Sequence, residues 1–244
     1  MARQWTVNAI INAVALEVGL LEDADPAASS DNNFVQLKGL LNIAGAELVE
    51  LHAWQVLKKE ASIDTDADPS GLYTLPTDYS YMIDQTHWER TNKNPLGGPL
   101  SSQQWTYLEG TQLAGTTIYA NFRLIENKVE IYPQPVPAGL DINYEYISRN
   151  WLESASDSGT YIDSITDGAN IVRYEPVLAI KYLKAKFLES KGFNADSARL
   201  EFENMFNSRT GKDTGGKKLS VGRRGAGVAY IQPMRNVSDT GFGG

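Results

Sequence analysis

The residues best suited to chemistry in this chain are an aspartate series, two histidines, a glycine-arginine run and three tryptophans. Asp64, Asp66 and Asp68, followed by Gly71, place alternate carboxylates in a short loop where they can converge on a hard cation such as calcium. A helix-loop-helix calcium site wants glycine at loop position six and glutamate at twelve, and those positions hold Pro69 and Leu75, so the series reads as a solvated acidic loop. His52 and His87 lie far apart and outside any metal-ligand or triad spacing. Gly222 to Gly227 has glycines without the preceding strand and following helix that a phosphate loop requires. Asn236-Val237-Ser238 fits a glycosylation triplet, with nothing else to indicate secretion. These patterns predict no catalytic residue, no cofactor and no metal site. A glycan-degrading enzyme using two of the many carboxylates as acid and base stays open as a rival reading.

Trp88, Trp105 and Trp151 carry two readings. Their rings could stack on sugars or nucleobases, which would make the chain an aromatic-based binding module. They could instead be packing or interface anchors. A buried tryptophan removes about 200 Å² from water, and interfaces are enriched in tryptophan, tyrosine and arginine. The anchor reading is preferred.

Such anchors must be held by elements, and the hydrophobic periods supply them. Val7, Ile10, Ile11, Val14, Val18 and Leu21 recur at helical spacing behind Thr6, a suitable cap, so a helix is expected over 7–21. Phe34, Leu37, Leu41, Ala44, Leu48 and Leu51 predict a second, longer helix ending near Trp54. From Lys58 to Ser148 the period changes to alternation. Ile118, Ala120, Phe122 and Leu124 form one strand, Glu126 and Asn127 a turn, and Val129 and Ile131 a second strand that Pro133 stops. Ile142, Tyr144 and Tyr146 begin another, and all three are expected in one small antiparallel sheet. Ser101 and Gln104 stand at capping-box spacing before a short helix to Glu109. Pro176 opens a helix that Gly192 ends, and Asn194 or Asp196 caps the last, with Ala198, Phe202 and Met205 on one face.

The chain of 244 residues has no cysteine and no apolar run long enough to span a membrane, so a soluble, unprocessed protein is expected. Its net charge of −8 is unevenly placed: from Arg209 onward seven basic residues face two acidic ones, giving +5 and leaving −13 for residues 1–208. An acidic body repels phosphate, which argues against sequence-specific nucleic-acid binding. The last 36 residues hold nine glycines and no helical period, and are expected to be extended.

The order Asp78, Trp88, Arg90-Thr91-Asn92, Pro95-Leu96-Gly97-Gly98-Pro99 and Ser101-x-Gln103-x-Trp105, continuing to Trp151, resembles the head-to-tail adaptor proteins of short-tailed bacteriophages. The resemblance implies a noncatalytic virion protein that forms a ring, usually of twelve copies, between the portal protein and the tail nozzle, with tail fibres nearby. Genomic DNA would pass through the lumen without specific binding, and no membrane is a partner. The expected fold is α+β: a helical bundle from the N- and C-terminal helix pairs, an inserted small antiparallel β domain and an extended C-terminal tail. The parts are 1–57 (first helical part), 58–152 (β domain with one short helix), 170–208 (second helical part) and 209–244 (basic docking tail). Within the tail Arg223, Arg224, Val228, Tyr230 and Ile231 are the expected portal contacts.

Overall fold

The computed structural model describes residues 5–66, 70–110 and 120–213. In chain order the elements are β1 (Trp5–Thr6), α1 (Val7–Glu17), α2 (Asn32–Leu51), a 3₁₀ turn (Gln55–Leu57), β2 (Lys58–Asp64), β3 (Leu72–Thr74), β4 (Tyr79–Met82), β5 (Trp88–Glu89) and β6 (Asn94–Pro95). There follow α3 (Ser102–Gly110), β7 (Asn121–Ile125), β8 (Lys128–Tyr132), β9 (Asp141–Ser148), β10 (Leu152–Glu153), β11 (Tyr161–Ile162), β12 (Ile171–Val172), α4 (Pro176–Ser190) and α5 (Asp196–Asp213). The class is α+β, with antiparallel sheets.

Each helix starts and stops for local reasons. The Thr6 hydroxyl accepts from Ala9 N, and α1 ends at Glu17, four residues earlier than its apolar period suggests. Gly19 takes a φ of +81°, and Leu20 N and Gly19 N turn back onto the Ala15 and Leu16 carbonyls, closing the helix before Leu21. Asp31 caps α2 through Asn33 N. Pro176 occupies the first turn of α4, and Gly192 closes it in the same way as Gly19 closes α1. Asn194 caps α5 by accepting from Asp196 N.

α4 is the central helix, packing against α1, α2 and α5. Its lysines tie these neighbours together: Lys181 and Lys184 pair with Glu17, Lys181 also with Glu201, and Lys186 with Glu47. The apolar stripes of the helices close over a core that also takes in Ile147, Trp151, Leu152, Val172 and Tyr174. Those last residues come from or adjoin a four-stranded sheet, β1-β12-β10-β11, that the hydrophobic pattern does not reveal because its strands are two residues long. It joins the start of the chain to residues 152–172 and forms one wall of the helical core.

The remaining strands form two sheets. β9 pairs with β2 along its whole length and, on its other edge, with β5 near its start and β4 near its end; β6 continues beyond β5. β3-β8-β7 is separate. The expectation of one small sheet holding the hairpin and β9 together is therefore corrected. Pro133 and Pro135 follow β8 directly and lack the N–H needed to extend a ladder, so the chain leaves that sheet before it reaches β9. Glu126 and Asn127, both at positive φ, make the two-residue hairpin turn between β7 and β8. A second core lies here, around Ile63, Phe122, Ile131, Ile142, Tyr144 and Tyr146. β9 serves both cores, with Ile142 and Tyr144 in one and Ile147 in the other.

Residues 209–213 are also a correction. They continue α5 instead of starting an extended tail, because Arg209 pairs with Glu175 and the Asp213 carboxylate accepts from Gln55 N and meets His52 Nε2 at 3.1 Å. Tertiary contacts here outweigh a glycine-containing, weakly helical sequence. The residues from 214 onward, Ile118, Tyr119 and Asp68 lie outside the described part, as do the predicted contacts Arg223, Arg224, Val228, Tyr230 and Ile231.

Candidate functional site

The segment from β4 to α3 has a physical reason for each residue type it uses. Asp78, just before β4, accepts from Lys59 Nζ at 2.6 Å, Ser148 Oγ at 2.7 Å and Tyr146 OH at 2.9 Å. Burial alone would raise its pKa, but these donors outweigh burial and hold the carboxyl below its usual range. The phenol of Tyr146 moves up, through burial and the bond to Asp78. This cluster locks β2, β4 and β9 at the point where β9 passes from one core to the other.

Further along, Glu89 is buried and both its carboxylate oxygens accept from Asn92 N, which shapes the turn between β5 and β6. Thr91 Oγ1 donates to Gly139 O and accepts from Asp141 N, fastening that turn to the start of β9. Gly97 and Gly98 then lie against β7: Gly97 N donates to Ala120 O, and Phe122 N donates to Gly97 O. A Cβ on Gly98 would sit 2.5 Å from Phe122 O, and its φ is +152°, so only glycine fits this close backbone approach. Ser101 and Gln104 form the expected reciprocal cap, with Ser101 N donating to Gln104 Oε1 and Gln104 N to Ser101 Oγ. That cap aims α3 so that Trp105 lands on the β7-β8 hairpin.

The three tryptophans occupy different environments. Trp105 is 1% exposed; its Nε1 donates to Glu109, its ring meets Tyr132 edge-on and the Arg123 guanidinium lies 4.4 Å over it. Trp151 is also 1% exposed, in the helical core, where it stacks on Tyr174 and donates to Asp163 O. Trp88 differs, being half-buried on β5. With Glu89, Arg90 and Lys93 it lines an open hollow of about 320 Å³. Arg90 pairs with Glu60 beside it. Trp88 thus lies beside Arg90 and Lys93 where β5 turns into β6, the edge strand of the sheet.

Among the described residues the two histidines and the aspartate series lie in separate places. His87 is buried against Phe122, its Nε2 has no hydrogen-bond partner, and burial lowers its pKa. His52 faces Asp213 and packs edge-on against Trp54 at the end of α5. Asp64 and Asp66 are exposed, with Asp66 N donating to Asp64 Oδ1 in a simple turn. Among the described residues no three His, Asp or Glu side chains are grouped to hold a metal ion, and no helix is long and apolar enough to cross a membrane. A cavity of about 160 Å³ beneath the β5-β6 turn is lined mainly by Leu96, Ile131, Val136 and Leu140, with Glu89 at its edge. A cleft of about 270 Å³ lies where α5 ends, between Trp54, Val56, Arg173, Tyr174 and Arg209.

Sequence reading missed Asp78 as a network centre, Gly45 and Arg173. The Arg173 guanidinium donates to the Asn150 and Val56 carbonyls and lies 4.0 Å over the Tyr161 ring, tying the small sheet to the 3₁₀ turn. Nothing in local spacing marks such long-range partners.

The fold is α+β, with two cores tied by buried hydrogen-bond networks and a half-buried tryptophan set beside cations on β5. The family model described as SU10 adaptor protein matches residues 5–227, and the chain belongs to that family of phage adaptors. No curated protein matches it significantly. The chain is therefore a phage adaptor, a structural class of protein that acts with other head and tail components.

Proposed function

We propose that the protein is a ring-forming head-to-tail adaptor that joins the portal to the tail nozzle at the virion neck and lines the DNA channel, in about twelve copies as is usual for such adaptors. The observation that carries this reading is the family match over 5–227, which takes in both cores of the fold. Charge supports it. A body of −13 repels DNA phosphates, so a genome slides past without being held.

In this reading α1, α2, α4 and α5 act as one bundle, and residues 58–152 are an insertion. Trp105 and Trp151 stiffen the two parts, while Trp88 faces a neighbour. Residues beyond Asp213 reach the portal, with Arg223 and Arg224 speeding encounter and Val228, Tyr230 and Ile231 holding the contact. Ring assembly on purified portal rings, followed by native mass spectrometry, tests this: a complex with adaptor copies matching the portal's symmetry supports it. Portal rings that stay bare at saturating adaptor contradict it.

A further inference from the structure

The outward face of α2 is the feature the fold leaves unexplained. A surface helix buries one stripe and turns charged residues to water. α2 buries Phe34, Leu37, Leu41 and Leu48, yet its opposite face presents Val35, Gly39, Ile43 and Ala46, with Val35 54% and Ile43 52% exposed. No charge interrupts that line between Asp31 and Glu50. The polar residues flanking it are turned aside: Lys38 donates to Ala27 O, Asn42 accepts from Ile165 N, and Glu47 is held by Tyr182 and Lys186. α1 repeats the pattern. Its outward line runs Ala9, half-buried Ala13 and Leu16, with Leu16 55% exposed, Asn12 turned aside onto Asp23, and Glu17 held by Lys181 and Lys184. α5, by contrast, exposes one large apolar residue, Leu200, among the charges of Arg199, Glu201 and Glu203.

We infer that α1 of one copy packs antiparallel on α2 of the next, and that this contact closes the ring. Three observations select a second copy as the occupant. The two lines are complementary in size: with Leu16 set opposite Gly39, Ala13 faces Ile43, so each large residue meets a small one, and Ala9 faces Ala46, where two small residues let the helices approach. A Cβ placed on Gly39 meets nothing within 4 Å, so the gap for Leu16 is open. Two acidic copies repel wherever charged faces meet, and on these two helical faces the flanking carboxylates, Glu17 and Glu47, are already paired with Lys181, Lys184 and Lys186. Pairing α2 with α2 of a second copy is disfavoured. It sets Glu50 near Asp31 of that copy and leaves the α1 line uncovered.

The contact is small. Each line is three or four side chains long, short of the roughly 800 Å² per partner of a stable pair, so it persists only where every copy makes it on both sides. In that respect the inference rests on the ring reading above.

The chain has no cysteine, which makes the test direct. A Leu16→Cys/Gly39→Cys protein, supplied in place of the wild type during phage growth, is treated in purified virions with a short bismaleimide cross-linker and run on a denaturing gel. The result expected is a ladder extending beyond dimer for the double variant, and monomer only for each single variant. Three results overturn the inference while leaving the adaptor role standing: monomer alone from virions that contain the double variant, a dimer from Gly39→Cys alone, or a cross-link to a different protein. Absence of the wild-type protein from virions overturns the adaptor role and the inference together.

Discussion

Two glycines in α2 have opposite surroundings, and substituting each by alanine should shift stability in opposite directions. Gly45 faces inward, where an added Cβ would lie 2.2 Å from Trp151 Cε2. Ordinary carbon contacts are about 3.5–4.0 Å, so ring or helix would have to move by more than about 1 Å. Neither can do so cheaply. The Trp151 ring is fixed by its 2.9 Å bond to Asp163 O and by stacking on Tyr174, whose hydroxyl in turn donates to Gly45 O at 3.2 Å. Alanine gains about 1 kcal/mol in helix propensity, while overpacking costs about 1–3 kcal/mol and more where the neighbours are rigid. The rigid neighbours put overpacking at about 2–3 kcal/mol, so Gly45→Ala should be destabilising by roughly 1–2 kcal/mol net, which lowers Tm by about 2–4 °C per kcal/mol in a chain of this size. Gly39→Ala meets no neighbour and should stabilise by about 0.5–1 kcal/mol. Thermal and urea unfolding of the two variants measure both shifts. An equal or more stable Gly45→Ala protein would refute the placement of Trp151 against α2.

Three further outcomes are expected. Trp105→Ala should cost about 3–5 kcal/mol and Trp88→Ala much less, because Trp105 is enclosed and Trp88 half-buried; equal losses in urea unfolding would contradict this. The Asp78 carboxyl has a depressed pKa, so its contribution is present above the unfolded value of about 3.8–3.9 and lost as pH falls through the lower folded value. Asp78→Asn should therefore be less stable than wild type at neutral pH and lose less on acidification to pH 3, as read by unfolding midpoints across pH. Ending the chain after Ser208 should lower stability by about 1–3 kcal/mol, since it removes the Arg209–Glu175 pair and the Asp213 bonds to Gln55 N and His52. A chain ending after Asp213, which retains these contacts, should fail to capture portal rings in a pull-down; capture equal to the full chain would remove the tail from that role.

Sequence legibility followed the range of the interactions. Thr6, Asn194, Ser101 with Gln104, and Pro176 act within four residues of themselves, and each cap could be placed from spacing alone. The turn at Glu126 and Asn127 was legible for the same reason. The end of α1 was not, because Val18 and Leu21 prolong the apolar period past the point where Gly19 closes the backbone. The sheet of β1, β10, β11 and β12 escaped because two-residue strands carry no alternation; it rests on long-range pairings such as Trp5 with Val172. Gly45 looks like a helix-weakening residue until Trp151 is seen against it, and Arg209 to Asp213 looks like tail until Glu175, His52 and Gln55 are brought beside it. The series from Asp78 to Trp105 pointed to the family, but the reason for its glycines lies in the backbone of β7.

The adaptor role itself is tested most directly by a cryo-electron map of the virion neck, into which this fold can be placed. A head-to-tail adaptor built as proposed requires a ring of copies between portal and nozzle, with α1 of each against α2 of the next, and the acidic body facing the channel. A neck map whose density is filled by other chains, with this protein absent from the particle, would contradict it.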